Sequence, residues 1–423
     1  MTISTGMVRP QVKVLGLVSS GHFMSHYYSM VLPPLFPFLH DNLGISYTAL
    51  GFLLTLKHVT AGVLQLPAGI LVDRFGAKLM LFFGLFMCTA GMGLIGLADA
   101  YWMLAALVVV VGIGNSVFHP ADYTIMNSTM DSGYMGRSFS VHTFSGHLGT
   151  AIAPLVVLSI APVWGWRMAF MVSGIAGLVV LVGFIAQWNI IDGNIARAES
   201  QKRTNEKPAA GGEGPTQTTW QLIVQILKSP PIVFLFMFFA MSSLANGGLK
   251  SFAVAGLVTL HNTPVTAAGG ALTGFLFASA FGVLVGGFFA DKTKRHDLIA
   301  ACGLLASAVI VLVVGEVNLQ YAVLVFAFSF AGLISGVIRP ARDMMIRNVS
   351  PEGSMGKVFG FVFSGQSIGG GIAPVIYGAL IDIGQSVWIF YSSAIFMVLC
   401  MAVVLLSGRA ARRHGETATA SGP

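Results

Sequence analysis

Apolar residues along this chain come in long blocks. Runs lie near 13–38, 47–70, 79–98, 102–124, 137–160, 167–188, 230–255, 264–289, 298–316, 319–341, 355–378 and 386–408. Each is close to the roughly 20 residues that a helix needs to cross a hydrocarbon core of about 30 Å. The pattern predicts an all-α membrane protein with twelve transmembrane helices.

The blocks fall into two sets of six. Between them the sequence turns polar over 189–228, which includes RAESQKRTNEKPAAGGEGPTQTT. Such a stretch buries too little apolar area to fold alone and reads as a flexible linker. The expected organisation is a bundle over 1–188, a linker over 189–228, a second bundle over 229–408 and a tail over 409–423 that looks disordered. Within the linker, WQLIVQILK (220–228) has the pattern of a short amphipathic helix at a membrane surface.

The two sets are related by duplication. GIGNSVFHPADY begins at Gly112 and GLISGVIRPARD at Gly332, an offset of 220 that also relates Pro120 to Pro340, Gly136 to Gly356, Gly149 to Gly369 and Pro154 to Pro374. Paired membrane halves of this kind are the architecture of secondary transporters that rock about a central site.

Composition agrees with a membrane protein: 55% of residues are hydrophobic, 9% are charged and the mean hydropathy is +0.80. Charge then sets orientation. With the N-terminus inside, all of the 23 Lys and Arg except Arg167, Lys57, Lys250 and Arg339 fall in cytoplasmic segments, as cationic loops require. Both termini are therefore expected in the cytoplasm, with the chain crossing the membrane many times. The net charge of +7 reflects that topology and attraction to anionic lipid, and no nucleic-acid partner is expected. The first apolar run is too long for a cleaved signal. Cys88, Cys302 and Cys400 are isolated in spans and read as packing residues.

Two loops carry a further signature. After the second span comes GILVDRFGAK, with Gly69, Asp73, Arg74, Gly76 and Lys78; after the eighth comes GFFADKTKR, with Gly287, Asp291 and Lys292. The pair resembles the G-x-x-x-D-R/K-x-G-x-R/K loop of the major facilitator superfamily, and Trp166–Arg167 is a lesser match. The resemblance implies two pseudo-symmetric six-helix bundles, alternating access and a gating role for those eight residues. Gly69 and Gly287 would permit close helix approach, and the charged positions would pair across the domain seam. Within the superfamily, GIGNSVFHPA is most similar to the fosmidomycin-resistance-like efflux group. The chain departs from drug/proton antiporters in having Val108 where an Arg is common and Ala153 before Pro154 where a Gly is common.

Polar groups inside spans are costly and therefore informative. Span 1 holds Ser19, His22, Ser25, His26 and Ser29 at helical spacing, a stripe expected to face a central cavity. Span 4 holds Asn115, Ser116, His119 and Asp122, and a His119–Asp122 couple is a candidate proton site. Asp122, His119 and His26 are the expected proton-coupling residues. Span 7 holds Asn246 and Lys250, span 10 holds Arg339 at the position equivalent to His119, and Lys57 lies in span 2. These cations call for an anionic partner, and Arg339 can grip a carboxylate or phosphonate in two-pronged fashion. The expected substrate-binding set is Arg339, Lys250, His22, His26, Asn246, Tyr28, His119, Gln366 and Lys57. Pairing of Arg339 with Asp343, or snorkelling of Lys57 and Lys250, is the structural alternative. His142 and His147 in span 5 could add hydrogen bonds to a ligand, while Gly146, Gly149, Gly365 and Gly369 read as helix-packing positions. No metal is expected, because the His22–His26 pair has no third strong ligand nearby in sequence.

No phosphate-binding loop or nucleophile elbow is present, so neither an enzyme nor an ATP-driven pump is expected, and no cofactor. The expected function is proton-coupled secondary transport of a small organic anion by a monomer, with export slightly favoured. A carboxylate uptake symporter, a hydrophobic multidrug exporter and a non-transporting membrane sensor are the alternatives.

Overall fold

A computed structural model describes residues 9–131, 134–191, 229–293, 295–350 and 355–420; the side chains of Arg9, Asp291, 355–357, 359 and 411–420 are outside the description. The expected linker from 192 to 228, and with it the amphipathic segment, lies outside the described residues. Among the described residues the chain is helical and has no strand. In order the α-helices are α1 (Arg9–Ser29), α2 (Phe36–Leu43), α3 (Tyr47–Phe75), α4 (Ala77–Ile95), α5 (Tyr101–Ser116), α6 (Phe118–Thr129), α7 (Met135–Ala186), α8 (Pro230–His261), α9 (Val265–Lys292), α10 (His296–Glu316), α11 (Tyr321–Val349), α12 (Met355–Asp382) and α13 (Trp388–Ala420).

Nine described helical stretches are long and apolar enough to cross a membrane. One of them, α7, folds back at Gly165, whose φ of 81° a side-chain-bearing residue rarely adopts, and so supplies two spans. The helices α1 and α12 complete twelve. The polar stripe and the cations Arg9 and Lys13 make α1 less apolar than its neighbours. The fourth span is divided at Val117 into α5 and α6, three residues before Pro120, whose ring nitrogen cannot donate into the helix. The tail does not end the helix at Arg409 as expected: α13 runs on through Ala420, because the alanines and arginines of RAARR are strong helix formers.

The helices cluster into two compact units, Met1–Ile45 with Leu56–Gly212, and Ser46–Thr55 with Glu213–Pro423. The first unit is drawn together around α7, against which α1 and α4 pack; the second around the α9–α11 and α8–α12 pairs. The duplication is visible in the crossings inside each unit. A Cβ on Gly112 would lie 2.9 Å from the Lys57 carbonyl oxygen, and one on Gly332 would lie 2.1 Å from that of Phe275. Likewise Gly149 fits against the Phe23 carbonyl and Gly369 against that of Ala240. Small residues at repeat-related sites thus let backbones approach to contact, as close packing of membrane helices demands.

In the second unit, the N-terminus of the α3 segment is capped from the end of α12. The Asp382 carboxylate accepts the Tyr47 and Thr48 amides at 2.8 and 2.7 Å and the Thr48 hydroxyl at 2.5 Å. Those amides are orphan donors at a helix start, where a negative charge is favoured.

Candidate functional site

Two clusters of intramembrane polar groups stand out, one in each unit. In the first, the α1 stripe meets polar groups on helices of its own bundle. Asn115 donates to the Ser25 hydroxyl at 2.8 Å, Ser145 to the Ser19 carbonyl at 2.9 Å, and Thr150 meets His26 Nδ1 at 3.4 Å. Ser19, His22 and Ser25 are buried. The reason is physical: a serine or histidine inside a membrane bundle gains most from a polar partner on the next helix, and α5 and α7 offer several.

At the middle of that stripe sits the densest group. Asp122 of α6 is fully buried, and its Oδ2 lies 3.2 Å from His22 Nδ1 and 3.5 Å from His142 Nε2. The His22 and His142 rings stack with centroids 3.8 Å apart, while His26 and His119 stand 4.5 and 5.6 Å from His22. Asp122 therefore associates with His22 and His142, from α1 and α7, and the expected couple with His119, one helical turn back, is not formed as an ion pair. His119 is exposed, and its ring lies tilted to that of Tyr123 with centroids 5.8 Å apart. Spacing along one helix could not find His142, since its relation to Asp122 is made by a different helix.

Two residues expected to bind substrate have other partners. Tyr28 is buried and its hydroxyl reaches Thr89 at 3.1 Å and the Ser173 carbonyl at 3.2 Å. Lys57 is 4% exposed, and its ammonium donates to the Ser29 carbonyl at 3.4 Å. Both belong to the interior of the first unit.

In the second unit the cluster is cationic. Lys250 on α8 is in electrostatic range of Arg339 and Arg342 on α11. Arg342 pairs with Asp343 at 3.0 Å, and Asp343 also acts on Arg339, so two of the three cations lie near one carboxylate. The Arg342 guanidinium lies over the Phe239 ring, 4.4 Å from its centroid, a contact that suits a delocalised cation. Arg342 counts among the cytoplasmic cations of the sequence, and its three-residue spacing from Arg339 is the signal that both share a helix face. Asn246, one turn before Lys250, donates to the Ser242 carbonyl at 2.7 Å, and Gln366 of α12 is exposed.

The loop motif is only partly as expected. Gly76 joins α3 to α4 with a φ of 89°, a conformation that requires glycine. Asp73 and Arg74 are exposed. Lys78 lies over the Trp188 ring at 4.1 Å and Lys292 over that of Phe288 at 3.8 Å. The role given to Gly69 and Gly287 is corrected: among the described residues, nothing comes within 4 Å of a Cβ placed on either. The Asp291 side chain is outside the description.

The model of the Major Facilitator Superfamily matches residues 18–260 and 240–423, nearly the whole chain in two overlapping parts. This chain belongs to the Major Facilitator Superfamily. Among curated relatives of this superfamily member, the fosmidomycin resistance protein of Escherichia coli (strain K12) is 24% identical over 402 residues, covering 94% of this chain and 93% of that one. The hexuronate transporter of Bacillus subtilis (strain 168) is 24% identical, with 82% of each chain covered. A probable L-galactonate transporter of Escherichia coli (strain K12) is 23% identical over 82% of this chain and 78% of its own. Among solved structures, an inward-facing, occupied bacterial homolog of the human lysosomal transporter Spinster superposes with a TM-score of 0.76 at 15% identity, covering 96% of this chain and 98% of that one. The superfamily member is thus a multi-pass membrane transporter with the twelve-helix, two-bundle fold, and not an enzyme.

Proposed function

We propose that this superfamily member is a proton-driven secondary transporter that moves a small organic anion, a carboxylate or phosphonate, across the bacterial inner membrane by alternating access. Both termini are cytoplasmic in this reading. The observation that carries it is the gathering of Lys250, Arg339 and Arg342 on two neighbouring helices, with Asp343 as the carboxylate beside the two arginines. Three cations beside one carboxylate make this region positive, positive charge inside a membrane bundle is expensive, and an anionic solute would lower that cost. Arg339 and Arg342 offer planar forks for a carboxylate or phosphonate, and Lys250 offers a point charge.

The relatives point the same way. Hexuronate and L-galactonate, in the names of two of them, are sugar carboxylates, and fosmidomycin, in the name of a third, is a phosphonate. Export is slightly favoured over uptake because the likeness to the fosmidomycin resistance protein spans 94% of this chain. An ion gradient is the remaining energy source in a chain without a nucleotide-binding loop, and in this reading the ion is the proton.

The test is transport by the purified protein in proteoliposomes preloaded with an unlabelled hexuronate or phosphonate, with and without an imposed pH gradient. Labelled anion should exchange without the gradient and accumulate with it, on the side that the direction of the gradient dictates. Exchange of neutral sugars in preference to the anions, or accumulation indifferent to the gradient, would contradict the reading.

A further inference from the structure

The buried group in the first unit is not used by the anion reading. His22, Asp122 and His142 come from α1, α6 and α7, and are 5%, 0% and 1% exposed. One ligand atom from each lies within 4.8 Å of the other two. We propose that these three residues form a binding site for one divalent first-row transition-metal ion, of the zinc class, inside the N-terminal bundle.

Distances give the first argument. Metal bonds to imidazole nitrogen and carboxylate oxygen are about 2.0–2.2 Å long, so two ligands on a tetrahedral ion stand about 3.3–3.5 Å apart. The spacings from Asp122 Oδ2 are 3.2 Å to His22 Nδ1 and 3.5 Å to His142 Nε2. Two of the three spacings already suit an ion, and the third, between the histidine ligand atoms, is within 4.8 Å, so a change of ring orientation would complete the set.

Unmet polarity gives the second. The two contacts are close but not aligned as hydrogen bonds. Among the described residues neither Asp122 oxygen, nor His22 Nδ1, nor either nitrogen of His142 has a hydrogen-bond partner. Polar atoms buried this deeply are nearly always satisfied, and a cation at their point of convergence would satisfy Asp122, His22 and one nitrogen of His142 together. Two imidazoles and a carboxylate select a transition metal; calcium and magnesium require a shell of oxygens.

Local packing gives the third. Gly146 lies beside the pair of histidines, and a Cβ there would be 2.7 Å from His22 Nε2 and 3.0 Å from His26 Cδ2. The missing side chain is what admits the His22 ring. His26 and His119, each near His22, surround the group with further imidazole, and the fourth position on the ion is left to water or to one of them. An ion held here ties α1 to α6 and α7 and so stabilises the N-terminal bundle.

The test uses the full chain, purified in detergent, freed of any affinity tag, stripped with a chelator and titrated with Co2+ and Zn2+. The expected result is saturable binding of about one ion per chain, a visible Co2+ spectrum displaced by Zn2+, and a rise in the apparent unfolding temperature that Mg2+ does not reproduce. His142→Gln and Asp122→Asn should weaken Co2+ binding by about tenfold or more, and His261→Gln, in the other unit, should not. Folded wild-type protein that takes up neither ion overturns the proposal and leaves the cluster as a proton or hydrogen-bonding site. Binding that persists undiminished in His22→Gln and His142→Gln places the ion elsewhere and overturns it too. The wild-type titration stands alone should a variant fail to fold, and neither result bears on anion exchange.

Discussion

Gly149 on α7 and Phe23 on α1 are in backbone contact: a Cβ on the glycine would lie 2.2 Å from the phenylalanine carbonyl oxygen. The obstacle is main chain, so it cannot rotate away. Gly149→Ala should cost about 1–3 kcal/mol, the usual penalty of overpacking, and its repeat partner Gly369→Ala, 2.3 Å from the Ala240 carbonyl, should cost a similar amount. Gly69→Ala and Gly287→Ala meet nothing within 4 Å and should hold or raise the apparent unfolding temperature, since alanine is the better helix former. Equal losses in all four would mean that close packing is not what these glycines serve.

The Tyr28 hydroxyl is spent on Thr89 and Ser173. Tyr28→Phe should therefore lower stability by about 1 kcal/mol and leave anion exchange unchanged. Thermal unfolding and proteoliposome exchange on the same preparation check both parts. A variant of full stability that exchanged anions poorly would return Tyr28 to the binding set.

Lys57 is enclosed in the first unit, with its ammonium against one carbonyl oxygen. Methionine has a similar length and no charge to desolvate. Lys57→Met should keep or raise the unfolding temperature and should not alter the anion concentration that half-saturates exchange. A large rise in that concentration would show that this amine touches the cargo.

These outcomes also mark what the amino-acid order could reveal. Duplication was legible because Gly112 and Gly332, or Gly149 and Gly369, keep one offset and do the same work in each bundle. The twelve spans were legible because membrane depth leaves no choice of residue type. Relations between helices were not. His22 was paired with His26 and Asp122 with His119, since spacing along a helix sees only neighbours one turn away. The fold instead sets Asp122 between His22 and His142 from two other helices. Arg342 was left out for a related reason: a cation near a span end reads only as a cytoplasmic charge, and it is the fold that sets its guanidinium over the Phe239 ring of α8. The glycines of the loop motif misled in the opposite direction, because a motif match carries no information about what lies opposite Gly69 or Gly287.

The account depends most on Lys250, Arg339 and Arg342 meeting a negatively charged solute. The direct measurement is ligand-dependent thermal stabilisation of the purified protein, comparing hexuronates and phosphonates with their uncharged esters or amides. Wild-type protein should be stabilised by the anions alone, and Arg339→Gln should need roughly tenfold more anion for the same shift, as losing about 1.4 kcal/mol of binding implies. Equal stabilisation by the neutral analogues, or an Arg339→Gln protein that responds like wild type, would contradict it.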